Sequence, residues 1–269
     1  MEHEEAAARA GVVVRELCEI GEFEQVYRLF DEIWRPGPTN VPATVELMVE
    51  FAHTGNYVAG AYAGDELVGA SVGFRAAGRA LHSHVTGAVV GRGIGYALKA
   101  HQKWWCLERG LERITWTFDP LVRRNAYFNL VKLGARPEEY LPDFYGVMAD
   151  AINEGDESDR LMAVWHLDED TGADHDPREA AVRLWEGPNG EPVLEPDISP
   201  QPALEPGISP QSRTQLVGTP SDIERLRRDN AYAARAWRRA MREALGGAMA
   251  AGGLVVGFTT RGEYVVSIT

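Results

Sequence analysis

Two histidines, His82 and His84, stand two residues apart in the run ALHSHVTGAVV (80–90). Alternate side chains of an extended strand share a face, so both rings are expected to project one way while Leu81, Ser83 and Val85 project the other. A polar face on such a strand suits proton chemistry, because an imidazole with an unperturbed pKa of about 6.5 is a competent base near neutrality. The bland alternative is that one or both histidines only hydrogen-bond within the fold. His84, nearer the glycines that follow, is the preferred base. Asp119, at the end of RITWTFD (113–119), could hold an ammonium group or orient a histidine, and before Pro120 it reads equally well as a helix cap. His82, His84 and Asp119 could also make a two-histidine, one-carboxylate metal set if their strands are neighbours. No H-E-x-x-H helix or second ligand cluster accompanies them, and no metal is expected. Ser83 lacks the G-x-S-x-G elbow, which disfavours a serine hydrolase.

The second chemical feature is the glycine run of VGRGIGYAL (90–98). Glycines Gly91, Gly93 and Gly95 after a strand let backbone N–H groups approach an anion, and a following helix adds its positive N-terminal end. Phosphate is the natural ligand, with a plain tight turn as the alternative. The spacing fails G-x-G-x-x-G, and the string lacks the G-K-[ST] of a nucleotide triphosphate loop.

These residues need elements to hold them. Residues 12–18 read as a strand, 22–34 as a helix with Phe23, Val26, Leu29, Phe30 and Ile33 on one face, and 43–53 as a second helix. YVAGAY (57–62) and ELVGASVGF (66–74) flank the turn Gly64-Asp65, and 80–90 follows as the third strand of a meander. A helix over 94–109 carries Ile94, Ala97, Leu98, His101 and Trp105 on one side. Trp105 is thus a core residue before it is a stacking platform. Residues 113–119 form a strand, 125–133 a short helix ended by Gly134, and 160–167 another strand. The expected organisation is a tail (1–11), a core (12–167), an acidic and Pro-rich linker (168–218) containing the near-duplication LEPDISPQPA and LEPGISPQ, and C-terminal helices with a β-hairpin about Arg261-Gly262 packing on the core (219–269).

Composition narrows the partners. The 269 residues are 45% hydrophobic, enough for a proper core, and carry a net charge of −13 with a pI near 5.0. That charge opposes non-specific nucleic-acid binding. Arg92, Lys99 and Lys103 could still form a local basic patch. Cys18 and Cys106 show no ligand or disulfide spacing, the N-terminal MEHEEAAARAG is acidic where a signal peptide is basic, and no apolar run approaches a membrane span. A cytoplasmic protein with no nucleic-acid or membrane partner is expected, and a homodimer is possible.

VGRGIGYAL, RNAYFNLVKLGA (124–135) and DRLMAVWHL (159–167), in this order of elements, resemble the GNAT acetyltransferase superfamily over about residues 12 to 167. LHSHVTGAV, GYALKAHQKWW and the later segments resemble a group of predicted bacterial GNAT proteins whose acceptors are mostly unassigned. The resemblance implies an α/β fold with a mixed, largely antiparallel twisted sheet flanked by helices, followed here by a helical segment and hairpin. It also implies acetyl-CoA or another acyl-CoA as co-substrate, with Ala88, Val89, Val90, Gly91, Arg92, Gly93, Ile94, Gly95 and Asn125 against it. Backbone N–H groups around Thr86 to Val89 would polarise the thioester. The expected activity is direct acyl transfer to a primary amine of a small molecule. Val90 stands where the superfamily's loop has Arg or Gln, and Leu130 where many relatives carry a tyrosine that acts as general acid toward the leaving thiolate; Tyr127, one turn before Leu130 on the same helix, and Tyr145, in LPDFYG, which matches a tyrosine-rich segment of relatives, are the candidate acids that the resemblance then implies. A CoA-binding protein with little turnover is therefore the competing reading.

Overall fold

A computed structural model describes residues 1–37, 40–146, 156–168, 180–195 and 213–268. Contacts divide the chain into two units: the first holds Met1–Trp116 with the stretch from His166, and the second begins at Thr117 and takes in the C-terminal segments.

In the first unit the expected tail is instead a helix, α1 (Glu2–Ala10), ended by Gly11 in the left-handed conformation. It is followed by β1 (Val13–Glu16), α2 (Ile20–Trp34) and α3 (Val45–His53), the last capped by Thr44 accepting from the Leu47 amide at 3.2 Å. The meander forms as expected: β2 (Tyr57–Ala63), β3 (Glu66–Ala76) and β4 (Ala80–Ala88) pair antiparallel. Gly64, at φ 63, makes the two-residue reversal between β2 and β3. Helix α4 (Ile94–Glu108) then leads to β5 (Arg113–Phe118), which starts parallel to β4, and the order is β1-β2-β3-β4-β5.

Both faces of this sheet are covered. Ala6, Ala7 and Ala10 of α1 lie in one cluster with Ile94, Ala97 and Leu98 of α4 and with Ala61 and Val68 of the sheet. Alanines there let two helices approach closely, and this packing makes a helix of a segment whose acidic start suggested a tail. The opposite face carries Phe23, Val26, Leu29, Phe30 and Met48 of α2 and α3 on Val58, Ala70 and Val72. Val68 has the parity of Ala70 and Val72 yet lies in the other cluster, because it is the residue left over where β3 bulges against β2.

In the second unit, the last residues of β5 lead the order β5-β7-β6, where β6 is Arg136–Leu141 and β7 is Arg160–His166, an antiparallel pair. Between β5 and β6 the expected helix is a short α5 (Arg123–Tyr127) that widens into a π turn (Phe128–Lys132) before Gly134, at φ 71. The segment expected to be linker contributes three strands, β8 (Ala181–Glu186), β9 (Pro192–Leu194) and β10 (Arg213–Gly218). Most of the Pro-rich duplication lies outside the described residues. Asp222 caps α6 (Ile223–Asp229) by accepting from the Arg225 amide at 2.9 Å, and α7 (Ala231–Met241) and the short α8 (Gly247–Ala250) follow. The expected hairpin is β11 (Leu254–Phe258) with β12 (Glu263–Ile268), in a second sheet of order β11-β12-β10-β8-β9. The chain is thus mixed α/β, with mostly antiparallel sheets flanked by helices.

Charges organise this unit's interior. Asp119 is buried, and its two oxygens accept from both Nη atoms of Arg238 at 2.9 Å each and from Arg227 at 2.5 Å, with Arg160 at 3.6 Å. Arg238 also donates to Asp156 at 3.0 Å. Burial pushes the Asp119 carboxyl up, but Arg238 and Arg227 pull it further down, well below the usual carboxylate range. The pairing fastens α6 and α7 to the end of β5.

Removing one partner of such a buried set typically costs about 3–5 kcal/mol. Asp119→Ala is expected to lower the unfolding free energy by about that amount in urea titrations, since Arg227 and Arg238 keep only Asp156 between them and Arg160 loses a nearby carboxylate. A second expectation concerns His101 of α4, which is buried and bonded through Nδ1 to the Tyr57 hydroxyl at 2.9 Å. Burial, with smaller repulsions from His3 and Arg109, lowers its pKa from 6.5 to about 4. Between those values the unfolded chain holds a proton that the folded chain does not, so stability falls as pH drops from about 6.5 to about 4. His101→Gln should flatten that part of a stability-against-pH curve.

Candidate functional site

The site in the first unit is built on β4, and one extra residue shapes it. Val85 pairs with Val72 and Ser83 with Gly73, so His84 is left over in a β-bulge. The rings of His82 and His84 lie 5.1 and 6.2 Å from the Phe74 ring, so the two histidines share a face as expected. Val85 does not take the opposite face. The bulge turns it to the same side, where it packs against the cluster of α2 and α3.

The two imidazoles have different partners. His82 is half-buried, and its Nδ1 lies 3.0 Å from Thr115 Oγ1. Burial, then repulsion from His84 and Lys99, lowers its pKa. His84 is exposed, with Nε2 2.9 Å from the carbonyl oxygen of Pro42. A carbonyl can only accept, so Nε2 carries the proton and Nδ1 of the neutral ring keeps its lone pair. That geometry gives His84 a free basic nitrogen and a fixed tautomer.

Beside these rings the sheet opens. The parallel register of β4 with β5 runs Ala80–Arg113, Leu81–Ile114 and His82–Thr115, whereas β4 stays paired to β3 as far as Ala88. Residues 83–88 therefore have an edge of backbone N–H and C=O groups that β5 does not fill. Such groups need water or a ligand.

The same strand ends at the glycine loop. Val89 donates to the Val68 carbonyl at 2.9 Å, the Val90 side chain is 89% exposed, and Gly91 and Gly93 have φ of 98° and 76°. Gly93 is the N-cap of α4 and no side chain caps the helix, so its first-turn amides face outward. A Cβ built on Gly91, Gly93 or Gly95 meets nothing within 4 Å, which leaves room for an anion to approach. Gly69 of β3 fixes where this loop stands. A Cβ there would come within 2.7 Å of Ile94 and 3.1 Å of Leu98, so only glycine lets the first turn of α4 lie this close to the sheet. The residues expected to hold a pyrophosphate, Ala88 to Gly95, thus run from the end of the open strand edge through one loop into the first turn of α4.

The other expected residues belong to the second unit. Asp119 does not offer a free carboxylate, because Arg227 and Arg238 occupy it, and this removes it as an ammonium or metal ligand; nor does it cap a helix, since Val122 is the N-cap of α5 and the Leu121 amide, donating to Asp119 at 2.9 Å, closes a turn ahead of it. Among the described residues no group of three His, Cys, Asp or Glu side chains is placed to hold a metal. Tyr145 is half exposed, with its hydroxyl 3.0 Å from Thr117 Oγ1 and its amide donating to Ser158 Oγ at 2.7 Å. Tyr127 lies in α5, its ring 5.8 Å from the Lys132 ammonium, and Asn125 is exposed on the same helix. Beside them on α5, Arg123 donates to Thr219 Oγ1 at 3.0 Å and Arg124 to Glu224 at 2.8 Å.

One further expectation changes, and another, Trp105 as a core residue, holds. Lys99 is not part of a surface patch with Arg92 and Lys103, being only 5% exposed. Trp104 stacks on His3 at 4.6 Å, and Trp105 is fully buried. The polar residues around Lys99 were not singled out from the sequence. Their signal was present, for Lys99, Gln102 and Cys106 follow helical spacing beside the apolar stripe of α4, and all three are buried.

No family model matches the chain, and no curated protein matches it. Among solved structures it is similar to a proposed acetyltransferase of the GNAT family from Desulfovibrio desulfuricans, at 15% identity over 58% of this chain and 99% of that one, with a TM-score of 0.47. It is also similar to Ard1 from Thermoplasma volcanium, at 18% identity over 59% and 99% of the two chains and a TM-score of 0.46. The aminoglycoside 6'-N-acetyltransferase from Enterococcus faecium gives 17% identity over 58% and 98%, with a TM-score of 0.45.

Proposed function

We propose that the chain transfers an acyl group, acetyl in the first instance, from acyl-CoA to a primary amine of a small molecule. One observation carries this reading: β4 parts from β5 just after His82 and runs, with its edge open, into the uncapped N-terminus of α4. A ligand with an anionic end and an extended amide-bearing arm matches that surface, since helix N-terminal amides bind phosphates and an open strand edge pairs with amides. The sequence resemblance of VGRGIGYAL supports the same choice of ligand.

In this reading the amides of the glycine loop hold the pyrophosphate, and β4 amides beyond the bulge polarise the thioester carbonyl. His84 Nδ1 takes the proton of the incoming amine. The amine nitrogen then forms its bond to the carbonyl carbon, and the carbon–sulfur bond breaks as the tetrahedral species collapses. Tyr145 and Tyr127 are the candidate donors to the departing sulfur. The acidic net charge suits a cationic small-molecule amine. A second reading, CoA binding with little turnover, draws on Val90, which gives the loop no side-chain donor, and on Leu130.

Calorimetry with acetyl-CoA and a thiol-release assay over an amine panel test the proposal. Donor binding together with amine-dependent thiol release is expected, and binding without release would leave the second reading. His84→Ala should lower kcat by about 10²–10⁴-fold with donor affinity unchanged, and an unaltered kcat would remove it from the mechanism. Gly93→Val forces a β-branched residue to positive φ, so acetyl-CoA affinity should fall about tenfold or more. Full affinity would place the pyrophosphate elsewhere. Phenylalanine at position 127 or 145 should slow only the enzyme whose thiolate that tyrosine protonates.

A further inference from the structure

Lys99 lies inside the first unit with only neutral partners. Its ammonium donates to Ser83 Oγ at 2.8 Å and Gln102 Oε1 at 3.1 Å, and sits 4.1 Å from the centre of the Trp116 ring. All three N–H directions are thereby used, and among the described residues no carboxylate pairs with it. Burial without a counter-charge brings its pKa down to about 7. A methionine would fill such a position without that cost, so the cation calls for an explanation beyond packing.

The hydrogen bonds lead outward from Lys99 to both sides of the bulge. Gln102 Nε2 donates to Ser71 Oγ at 3.3 Å, and Ser71, which has accepted there, donates to Thr86 Oγ1 at 2.7 Å. Ser83, having accepted from Lys99, faces Thr86 Oγ1 at 3.5 Å. The chain of donors therefore closes a ring through β3, β4 and α4. Ser83 and Thr86 are three residues apart, so in a regular strand their side chains would point to opposite faces. They meet on the α4 face only because the extra residue lies between them. The ring joins one hydroxyl before the bulge to one after it, and slipping the register by one residue would break it.

We propose that Lys99 is a positioning residue for His84: through Ser83 and Thr86 it locks the bulge in β4 that presents His84 on the opposite face and frees the strand edge beyond it. Only the kinetic arm of this inference rests on the acyl-transfer reading.

The test compares wild type with Lys99→Met by nitrogen-15 spectra of the histidine rings, by amide hydrogen exchange at residues 83–87, and by kcat and KM in the thiol-release assay. In wild type His84 should show the tautomer protonated at Nε2. In a folded Lys99→Met that signature should be averaged between tautomers, and exchange at 83–87 should quicken. In the active enzyme, kcat should drop about 10- to 100-fold, the scale of a misplaced reacting group, with KM for acetyl-CoA within about twofold. Should Lys99→Met not fold, Thr86→Val carries the same three measurements, since it removes the far end of the ring and leaves the ammonium's own partners. A folded variant with the His84 signature and the 83–87 exchange both unchanged overturns the proposal. Wild type without any thiol release would sink the acyl-transfer reading and leave the spectral and exchange arms to decide the role of Lys99.

Discussion

Everything in the first unit's site depends on β4 having one more residue than its partner needs. A strand in the middle of a sheet spends its backbone groups on two neighbours, and nothing is left to bind a ligand. The bulge at His84 lets β4 remain paired with β3 while its other edge leaves β5 after His82. Each unsatisfied buried backbone group costs on the order of 1–3 kcal/mol, so an edge of several such groups persists only where water or a ligand reaches it. The open edge and the histidine beside it are consequences of the same inserted residue. They would be lost together by a return to regular pairing.

The two units solve the problem of a buried charge in opposite ways. Asp119 is surrounded by guanidinium groups that return its desolvation cost, and such a set resists single substitutions because each removal strands a charge. Lys99 has hydroxyl, amide and ring partners only, which satisfy its donors without neutralising it. The first arrangement specifies which segments lie together. The second specifies the register of one strand, since neutral hydroxyls at 83 and 86 can be reached only when the bulge is in place. Buried polar groups are retained for specificity in some proteins rather than for stability, and Lys99 fits that case.

What the sequence made legible followed periodicity. The small-apolar runs of β2 and β3, the Gly64-Asp65 turn, the apolar stripe of α4 and the Asp222 cap are local signals, and each corresponds to the observed element. Period-2 alternation places His82 and His84 on one face, as observed, because they precede or form the bulge. For Val85, just beyond it, the same alternation gives the wrong face, since a bulge leaves no mark in a period-2 pattern. Lys99 was read as surface because lysine is rarely buried without a partner. Asp119 reads as a helix cap or a free carboxylate and is neither, because the arginines that fill it, Arg227 and Arg238, lie more than a hundred residues later in the chain. β8 to β10 were hidden by the Pro-rich sequence around them, and α1 by an acidic start whose alanines find their partners only in α4.

For amine acylation the magnitudes also say which missing group matters. An alkylammonium with a pKa near 10.4 costs about 5 kcal/mol to deprotonate at pH 7, whereas a thiol with a pKa near 8.5 leaves as thiolate at a cost of about 2 kcal/mol. The demand for a base is therefore more than twice the demand for an acid. Leu130 in place of a tyrosine removes the smaller contribution, which another tyrosine or solvent can supply. The larger one falls on a nitrogen with a lone pair held in a fixed direction, and Nδ1 of His84 has that property because Pro42 accepts the ring's other proton. The absence of a conventional acid thus weighs less against catalysis than the carbonyl of Pro42 weighs for it.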